Sequence, residues 1–332
     1  VDQAEMHVKL NDVERTYGNT ALINGTSYGV NGLTGNVNGD NYGAGDVTLG
    51  TASDGALTGN STGRVTNDAD DTYKWNANVV AANDKLKQNY KLIVDDGASV
   101  VNQATLQVSL NEVVRTYGNA AITSGGYSAS GIEGLVNGDS YDASAITVNK
   151  TSDGAIDGVS GSKVTNDVDN NYTWSGTLTT DNARLDKNYK LELKGDGKSV
   201  VGKATLTFVV DDKTITQGVP AKYTGKANGL TNGDTLAGIG VGGYELDSSV
   251  NPLIVGVYED KIGVLINGSL HMTGSDSLLK NYRVEVNPGT LTVLISSDPT
   301  NAYWFGTAPW DKERNLRERK AEFHYVAGGM SL

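Results

Sequence analysis

The side chains best suited to bind an ion are the carboxylates of two acidic turns in equivalent places of a repeated pattern. The first turn reads Asn-Asp-Ala-Asp-Asp at residues 67–71, and the second reads Asn-Asp-Val-Asp-Asn-Asn at 166–171. Oxygen ligands at alternate positions of a loop suit Ca²⁺. The candidate calcium ligands are Asp68, Asp70, Asp71, Asp167 and Asp169. The EF-hand spacing with its final Glu is absent, so a solvated turn that leads into a strand is the alternative.

A second candidate site consists of aromatic residues that follow these turns. Trp75 and Trp174 stand two positions after Tyr73 and Tyr172, so each pair shares one face of a strand. On an exposed face they would form a platform for stacking sugars, whereas on the inner face they would belong to the core. Burial is the favoured interpretation, because one face of a half-buried sheet always packs inward.

The residues that acid–base or nucleophilic catalysis would need do not form a recognisable pattern. The three histidines, His7, His271 and His324, occupy no equivalent positions in the repeats. The chain contains neither a Gly-x-Ser-x-Gly nucleophile elbow nor a phosphate-binding loop that opens a helix. No pair of acids stands out from the acidic background. We therefore expect a protein that is not an enzyme and holds no cofactor other than the calcium considered above.

The C-terminal segment, 296–332, differs from the rest of the chain. Its stretch 303–310 holds two of the four tryptophans, and 311–323 contains helix-forming residues with opposite charges four apart. A short helical tail is predicted. Its apolar side chains would either attach the protein to a partner or cap the end of the preceding module. These candidate anchor residues are Trp304, Phe305, Trp310, Leu316 and Phe323.

Internal repetition organises the remainder. Arg-Thr-Tyr-Gly-Asn occurs at 15–19 and 115–119, and Val-Asn-Gly-Asp occurs at 37–40 and 136–139. A shorter, divergent third copy retains Asn-Gly-Asp at 232–234. A unit of about 100 residues is too long for a solenoid repeat and suits an independent domain. We predict modules at 1–102, 103–202 and 203–295, followed by the tail at 296–332, and expect each module to bury its own core.

Local patterns indicate strands throughout these modules. Apolar and polar residues alternate with a period of two at 105–110, 172–179 and 189–194. Seven Asn-Gly pairs suit the positive φ of tight hairpin turns. Residues 182–186 have room for one helical turn at most. The predicted class is all-β, with three tandem antiparallel β-sandwich modules and a short C-terminal helical tail.

Composition excludes several other classes of protein. The 332 residues include 42 glycines but no cysteine, and the formal net charge is -12. The absence of cysteine excludes disulfide frameworks and thiolate metal sites. The acidic balance argues against a nucleic-acid partner. No apolar run is long enough to span a membrane as a helix.

The repeated motifs carry a resemblance to a known family. Thr-Tyr-Gly-Asn near the start, Asn-Gly-Asp in the middle, a tyrosine after the acidic turn and Asn-Tyr-Lys-Leu near the end resemble bacterial MBG or YDG type modules. The third copy departs at 216–218, where Thr-Gln-Gly replaces Thr-Tyr-Gly. The resemblance implies Ig-like sandwiches arranged in tandem in large secreted adhesins, many of them two-partner-secretion, filamentous-haemagglutinin-like exoproteins of Gram-negative bacteria. The tyrosine after each acidic turn is similar to the Ig tyrosine corner, whose phenol caps backbone groups.

The resemblance also implies a location and partners. It places the chain at the Gram-negative cell surface, as the non-enzymatic stalk and C-terminal part of an adhesin whose distal region binds a host-cell or matrix glycan or protein. Its tail would contact an outer-membrane transporter. We expect the chain to be a C-terminal piece of a longer array. The alternative is a lectin-like array that binds carbohydrate through loop Tyr, Trp, Asp and Asn.

Overall fold

β-Strands form most of the secondary structure, which confirms the predicted all-β class. The computed structural model describes residues 2–23, 25–59, 67–158 and 163–296. Nearly all of the predicted helical tail, from residue 297 onward, lies outside the described residues.

The first repeat forms two sheets. One has the order β3–β1–β6 and the other the order β2–β7–β5–β4. The strands are β1 (Ala4–Leu10), β2 (Val13–Thr16), β3 (Val30–Thr34), β4 (Val47–Asp54), β5 (Lys74–Ala81), β6 (Tyr90–Asp95) and β7 (Gly97–Asn102). Helix α1 (Asp84–Asn89) connects β5 to β6.

The second repeat reproduces these elements. Its strands are β8 (Ala104–Leu110), β9 (Val113–Thr116), β10 (Asn119–Ser124), β11 (Ala129–Glu133), β12 (Thr147–Asp153), β13 (Asp169–Thr179), β14 (Tyr189–Leu193) and β15 (Gly197–Gly202). Helix α2 (Ala183–Asn188) begins at the predicted helical turn, where the Asn182 side chain accepts hydrogen bonds from the amides of Arg184 and Leu185.

The third repeat has a first sheet of the same kind, with order β18–β16–β22, and a larger second sheet. Its strands are β16 (Ala204–Val210), β17 (Lys213–Thr216), β18 (Gly225–Asn228), β19 (Val241–Leu246), β20 (Gly256–Ile266), β21 (Ser269–His271), β22 (Tyr282–Asn287) and β23 (Gly289–Leu294). In β20, the pairing with β23 shifts register between Tyr258 and Ile262.

The two sheets of a repeat enclose apolar side chains in a sandwich-like arrangement. In the first repeat, Met6 and Val8 from one sheet pack with Val47 from the other, together with Leu86 of α1. These side chains belong to alternate positions of their strands, as the period-two pattern requires. The core therefore lies between the sheets and fixes the loops at their ends.

Strand pairing is mixed, which corrects the expectation of purely antiparallel modules. β1 pairs in parallel with β6, and β2 pairs in parallel with β7. The third repeat has the same parallel pairs, β16 with β22 and β17 with β23. Parallel neighbouring strands need a long crossover connection. Between β1 and β6, strands β2–β5 and helix α1 form this connection. Alternating sequence patterns do not distinguish these two kinds of ladder.

The described residues group into two compact units. The first includes the described residues of Val1–Val113, Gly125–Asp153 and Thr173–Lys198, and the second those of Val114–Ser124, Gly154–Tyr172 and Ser199–Leu332. Each strand pair given above joins strands of a single predicted module. The division into three modules stays a prediction.

Candidate functional site

Four of the five carboxylates predicted to bind calcium accept hydrogen bonds from donors of the protein itself. Asp70 accepts hydrogen bonds from the backbone and hydroxyl of Thr72 and lies 3.4 Å from the Lys187 ammonium. These contacts, with Thr72 as the larger cause, hold the pKa of Asp70 below its usual value. Asp71 is exposed. In the second turn, Asp169 accepts from the backbone and side chain of Asn171.

The remaining two candidates, Asp68 and Asp167, face an asparagine of the next repeat. Asp68 accepts a 2.8 Å hydrogen bond from Asn188, and Asp167 accepts one of 2.8 Å from Asn281. The described residues contain no group of three or more His, Asp or Glu side chains placed to hold a metal ion. Calcium binding stays a prediction, while the structure gives these turns a role in contacts between repeats.

The aromatic residues that follow the turns are structural. The phenols of Tyr73 and Tyr172 donate to the backbone oxygens of Asp68 and Asp167, each five residues earlier, as the tyrosine-corner interpretation predicts. Trp75 and Trp174 are fully buried. Because their indole rings lie in the cores, these two tryptophans are not exposed for stacking on a sugar.

The candidate anchor residues Trp304, Phe305, Trp310, Leu316 and Phe323 lie outside the described residues, so their predicted role stays a prediction.

The structure brings together a set of side chains that the sequence reasoning missed. Tyr17 directly follows β2, and its side chain is 1% exposed. Its phenol donates a 2.9 Å hydrogen bond to Asp139, which lies in the Val-Asn-Gly-Asp loop of the second repeat. Tyr189, at the start of β14, donates to the same carboxylate oxygen at 2.9 Å. We call this contact between the first and second repeats the first joint.

Ring packing and a glycine complete the first joint. The Tyr17 and Tyr189 rings meet edge to face, with centroids 5.6 Å apart. Gly18 has a φ of +85°, and a Cβ added to it would lie 2.5 Å from Val136. The loop thus approaches so closely that a side chain at position 18 has no room.

The Asn-Gly-Asp loop is held in shape by its own repeat. The Val136 amide donates to the Tyr189 hydroxyl, and the Asp139 amide donates to the Val136 oxygen. Asn137 has a φ of +56° and Gly138 of +74°. The Asn-Gly pair therefore makes a turn with two left-handed residues, but the turn presents Asp139 to a neighbouring repeat instead of closing a hairpin. We call residues 136–139 the acceptor loop of the second repeat.

A cation and an amide extend the first joint. Arg184, just inside α2, lies 3.4 Å from Asp139 and donates to the Tyr17 hydroxyl at 3.3 Å. Asn188, at the end of α2, is fully buried and accepts a 2.7 Å hydrogen bond from the Ala69 amide. Burial, strengthened by the Asp139 carboxylate, raises the pKa of the Tyr189 phenol. The phenol is thereby kept protonated, as it must be to donate.

The second joint, between the second and third repeats, repeats this geometry. Tyr117 donates to Asp234 at 3.0 Å, and Tyr282 donates to the same oxygen at 2.7 Å. The two rings are again edge to face at 5.6 Å. A Cβ on Gly118, whose φ is +86°, would lie 2.2 Å from Thr231. Residues 231–234 are the corresponding acceptor loop.

Apolar packing is continuous through each joint, which corrects the expectation of wholly separate cores. In the first joint, Tyr17, Ala56 and Val101 cluster with Leu106 and Tyr189 of the second repeat. In the second joint, buried residues of the second repeat, such as Val164 and Val201, cluster with residues of the third. The separate sandwich cores exist, but the end of one repeat also completes the core at the beginning of the next.

A buried ion pair supports the end of the first repeat that carries Tyr17. Arg15 and Asp54 lie 2.8 Å apart, with side chains 2% and 3% exposed. Tyr28 donates to Asp54 at 2.6 Å, and Arg15 also donates to the Tyr28 hydroxyl. The Asp54 carboxylate has a structural role, because removing either member of a buried ion pair leaves the charge of the other uncompensated. In the third repeat Ile215 replaces the arginine and packs in an apolar cluster.

No protein-family model matches the chain, and no curated protein matches it. Among the helices of the described residues, none has the length and apolarity needed to cross a lipid bilayer.

Proposed function

We propose that this chain is a non-enzymatic spacer of a cell-surface adhesin, whose joined repeats hold a separate binding region away from the outer membrane. The observation that carries the proposal is the pair of matching joints. The same phenol–carboxylate–phenol contact links the first repeat to the second and the second to the third. A spacer needs such contacts, because they limit motion between neighbouring repeats.

The motifs that recur most regularly in the sequence form the contacts between repeats. The Thr-Tyr-Gly segment, the Asn-Gly-Asp loop and the acidic turn all meet at the first joint. Tandem Ig-like modules of secreted adhesins, which the motifs resemble, suit this arrangement. The acidic surface, with a net charge of -12, favours solubility outside the cell.

We further propose that the C-terminal part of the chain attaches the spacer to an outer-membrane partner. Several large apolar side chains at one end of the third repeat are exposed, among them Val219, Leu253, Ile254 and Val257. Gly218 lies beside Leu253 and donates to the Pro252 oxygen, so this end corresponds to the one that carries Tyr17 in the first repeat. An apolar end followed by the aromatic segment at 303–310 suits attachment to a partner.

The spacer proposal is tested by single-molecule fluorescence energy transfer within the first unit. Because the chain contains no cysteine, cysteines introduced by Lys91→Cys and Lys190→Cys provide the only dye sites. Both positions are exposed and occupy equivalent places in two repeats. A rigid joint gives one narrow distribution of transfer efficiency, which broadens in the Gly18→Val variant. A broad distribution of transfer efficiency in the parent chain would refute the proposed spacer function.

The lectin-like alternative is decided by a separate measurement. The full chain is applied to a glycan array at micromolar concentration, with an acidic protein of similar size as the control. A spacer gives no glycan signal above the control, whereas saturable binding to one glycan class would support the lectin.

A further inference from the structure

The first repeat has the same acceptor elements as the second and third. Tyr90 donates to Asp40 at 3.0 Å, and the Val37 amide donates to the Tyr90 hydroxyl at 2.9 Å. Asn38 and Gly39 have positive φ values of 55° and 81°, as in the other two acceptor loops. The acceptor loop of the first repeat, residues 37–40, is therefore built and held in the shape that receives a tyrosine elsewhere in the chain.

This loop differs from the other two in what covers it. Within the described residues Asp40 accepts from one phenol, that of Tyr90, whereas Asp139 and Asp234 each accept from two. Val37 is 43% exposed, while its counterpart Val136 is partly buried against Gly18. Val37 gives this loop an exposed apolar surface, and the Asp40 carboxylate has room to accept a hydrogen bond from a second phenol.

The neighbouring helix shows the same difference. Asn188 at the end of α2 is fully buried because it binds the backbone of residue 69 and the side chain of Asp68. Its counterpart Asn89, at the end of α1, is exposed. The acceptor loop at 37–40 and the end of α1 are therefore both uncovered. At the first joint, the equivalent loop and helix end of the second repeat are covered by the preceding repeat.

We propose that the face formed by residues 37–40, Asn89 and Tyr90 is a docking site for another Ig-like repeat. The partner presents a Thr-Tyr-Gly loop, whose phenol donates to Asp40 and whose glycine packs on Val37. It also presents an acidic turn whose backbone amide and carboxylate bind Asn89. This inference rests on the proposed spacer function, in which joints of this kind link successive repeats.

The chemistry of the first and second joints defines this partner narrowly. A phenol is needed to reach the carboxylate, and a glycine is needed because any Cβ would meet position 37 as it would meet Val136. Residues 216–218 of the third repeat read Thr-Gln-Gly, and the Gln217 side-chain amide donates to the Leu253 oxygen of its own repeat. The corresponding end of the third repeat therefore does not supply the phenol.

The test extends the full chain by one further copy of residues 1–100 placed before Val1. The new connection then reads Val-Val-Asp-Gln, close to the natural Val-Val-Asn-Gln at 100–103. The added copy carries Asn41→Gln and Lys74→Arg, both at exposed positions, so that its peptides differ in mass from those of the original repeat. Hydrogen exchange is followed by mass spectrometry in the original peptide that covers 36–41. Docking of the added repeat should slow this exchange at least tenfold, since a tether supplies a high effective concentration. The matched control carries Gly18→Val in the added copy only and should exchange like the parent chain.

Two results would overturn the proposal. One is unchanged exchange at 36–40 in an extended chain whose added β5 segment is protected like the original. The other needs no extension: in the parent chain, exchange at 36–40 as slow as at 135–139 would show that the site is not open. The dye experiment on the unextended chain tests the spacer function independently of both results.

Discussion

The phenol of Tyr17 donates a 2.9 Å hydrogen bond to Asp139, a residue 122 positions further along the chain. This bond crosses from one repeat to the next, and its equivalent runs from Tyr117 to Asp234. Tyr17 and Tyr117 thus bind the aspartate of the following repeat, not the equivalent aspartate of their own.

Asp139→Asn should destabilise the protein more than Asp40→Asn. The first change weakens hydrogen bonds from two phenols and the contact with Arg184, whereas the second affects Tyr90 alone. Hydrogen bonds to charged groups contribute about 1.5–3 kcal/mol each, so we expect a difference of about 2 kcal/mol. Urea unfolding measures both variants, and equal midpoints would contradict the joint as described.

Gly18→Ala should be more harmful than Gly39→Ala, although both glycines have φ near +80°. An alanine at either position carries the left-handed backbone penalty of about 1–2 kcal/mol. Only at position 18 would the new Cβ also meet Val136, at 2.5 Å, because nothing lies within 4 Å of the Cβ at position 39. Overpacking adds about 1–3 kcal/mol. Thermal unfolding of the two variants side by side checks the order, which the reverse ranking would refute.

Asn188→Ala should cost stability, and Asn89→Ala should be nearly neutral. Asn188 satisfies the Ala69 amide and the Asp68 carboxylate, so its loss leaves a buried donor without a partner. That penalty is about 1–3 kcal/mol. Asn89 is exposed and serves as the matched control. Guanidinium unfolding followed by tryptophan fluorescence gives both values, and a neutral Asn188→Ala would argue against the contact.

Asp54→Asn should destabilise the first repeat strongly, because Arg15 would remain buried without its counter-ion. Breaking one half of a buried pair costs about 3–5 kcal/mol. Glu133→Gln is the control, since the Lys194–Glu133 pair is exposed and such pairs contribute about 0–1 kcal/mol. The double variant Arg15→Ile/Asp54→Leu should recover stability relative to Asp54→Asn, since the third repeat has Ile215 at the arginine position. If the double variant were no more stable than Asp54→Asn, the charged pair itself would be required at these two positions.

Stability should fall as the pH rises from about 10 to 12. Burial and the Asp234 carboxylate raise the pKa of Tyr282 to about 12, above its ordinary value of 10. The folded state therefore keeps the phenolic proton while the unfolded chain loses it, and unfolding becomes more favourable through this interval. Denaturant unfolding at pH 8, 10 and 11.5 measures the decrease. Tyr282→Phe should make it shallower, and an unchanged slope in that variant would contradict the assignment.

Much of the fold was predictable because strands leave a local pattern. The alternating segments at 105–110 and 189–194 correspond to β8 and β14, and α2 begins at Ala183, inside the predicted turn at 182–186, although it continues to Asn188. The parallel pairing of β1 with β6 was not predicted, because alternation fixes which face is buried but not which strand lies alongside.

The joints were missed for a related reason. Nothing in the local sequence around Tyr17 connects it to Asp139, which lies 122 positions further along the chain. One signal was present in the sequence. The acceptor aspartate occurs in all three copies, whereas the tyrosine of the Thr-Tyr-Gly segment occurs only in the first two. A tyrosine that serves the following repeat gives this pattern.

The replacement of that tyrosine by Gln217 in the third repeat limits how many molecules a joint of this kind can connect. A protein with a matching donor and acceptor at its two ends would polymerise head to tail into an open filament. Here the Gln217 side-chain amide donates to the Leu253 oxygen of its own repeat, so the described part of the third repeat presents no tyrosine at this position to the Asp40 of another copy. A head-to-tail contact of this kind therefore does not propagate through the third repeat.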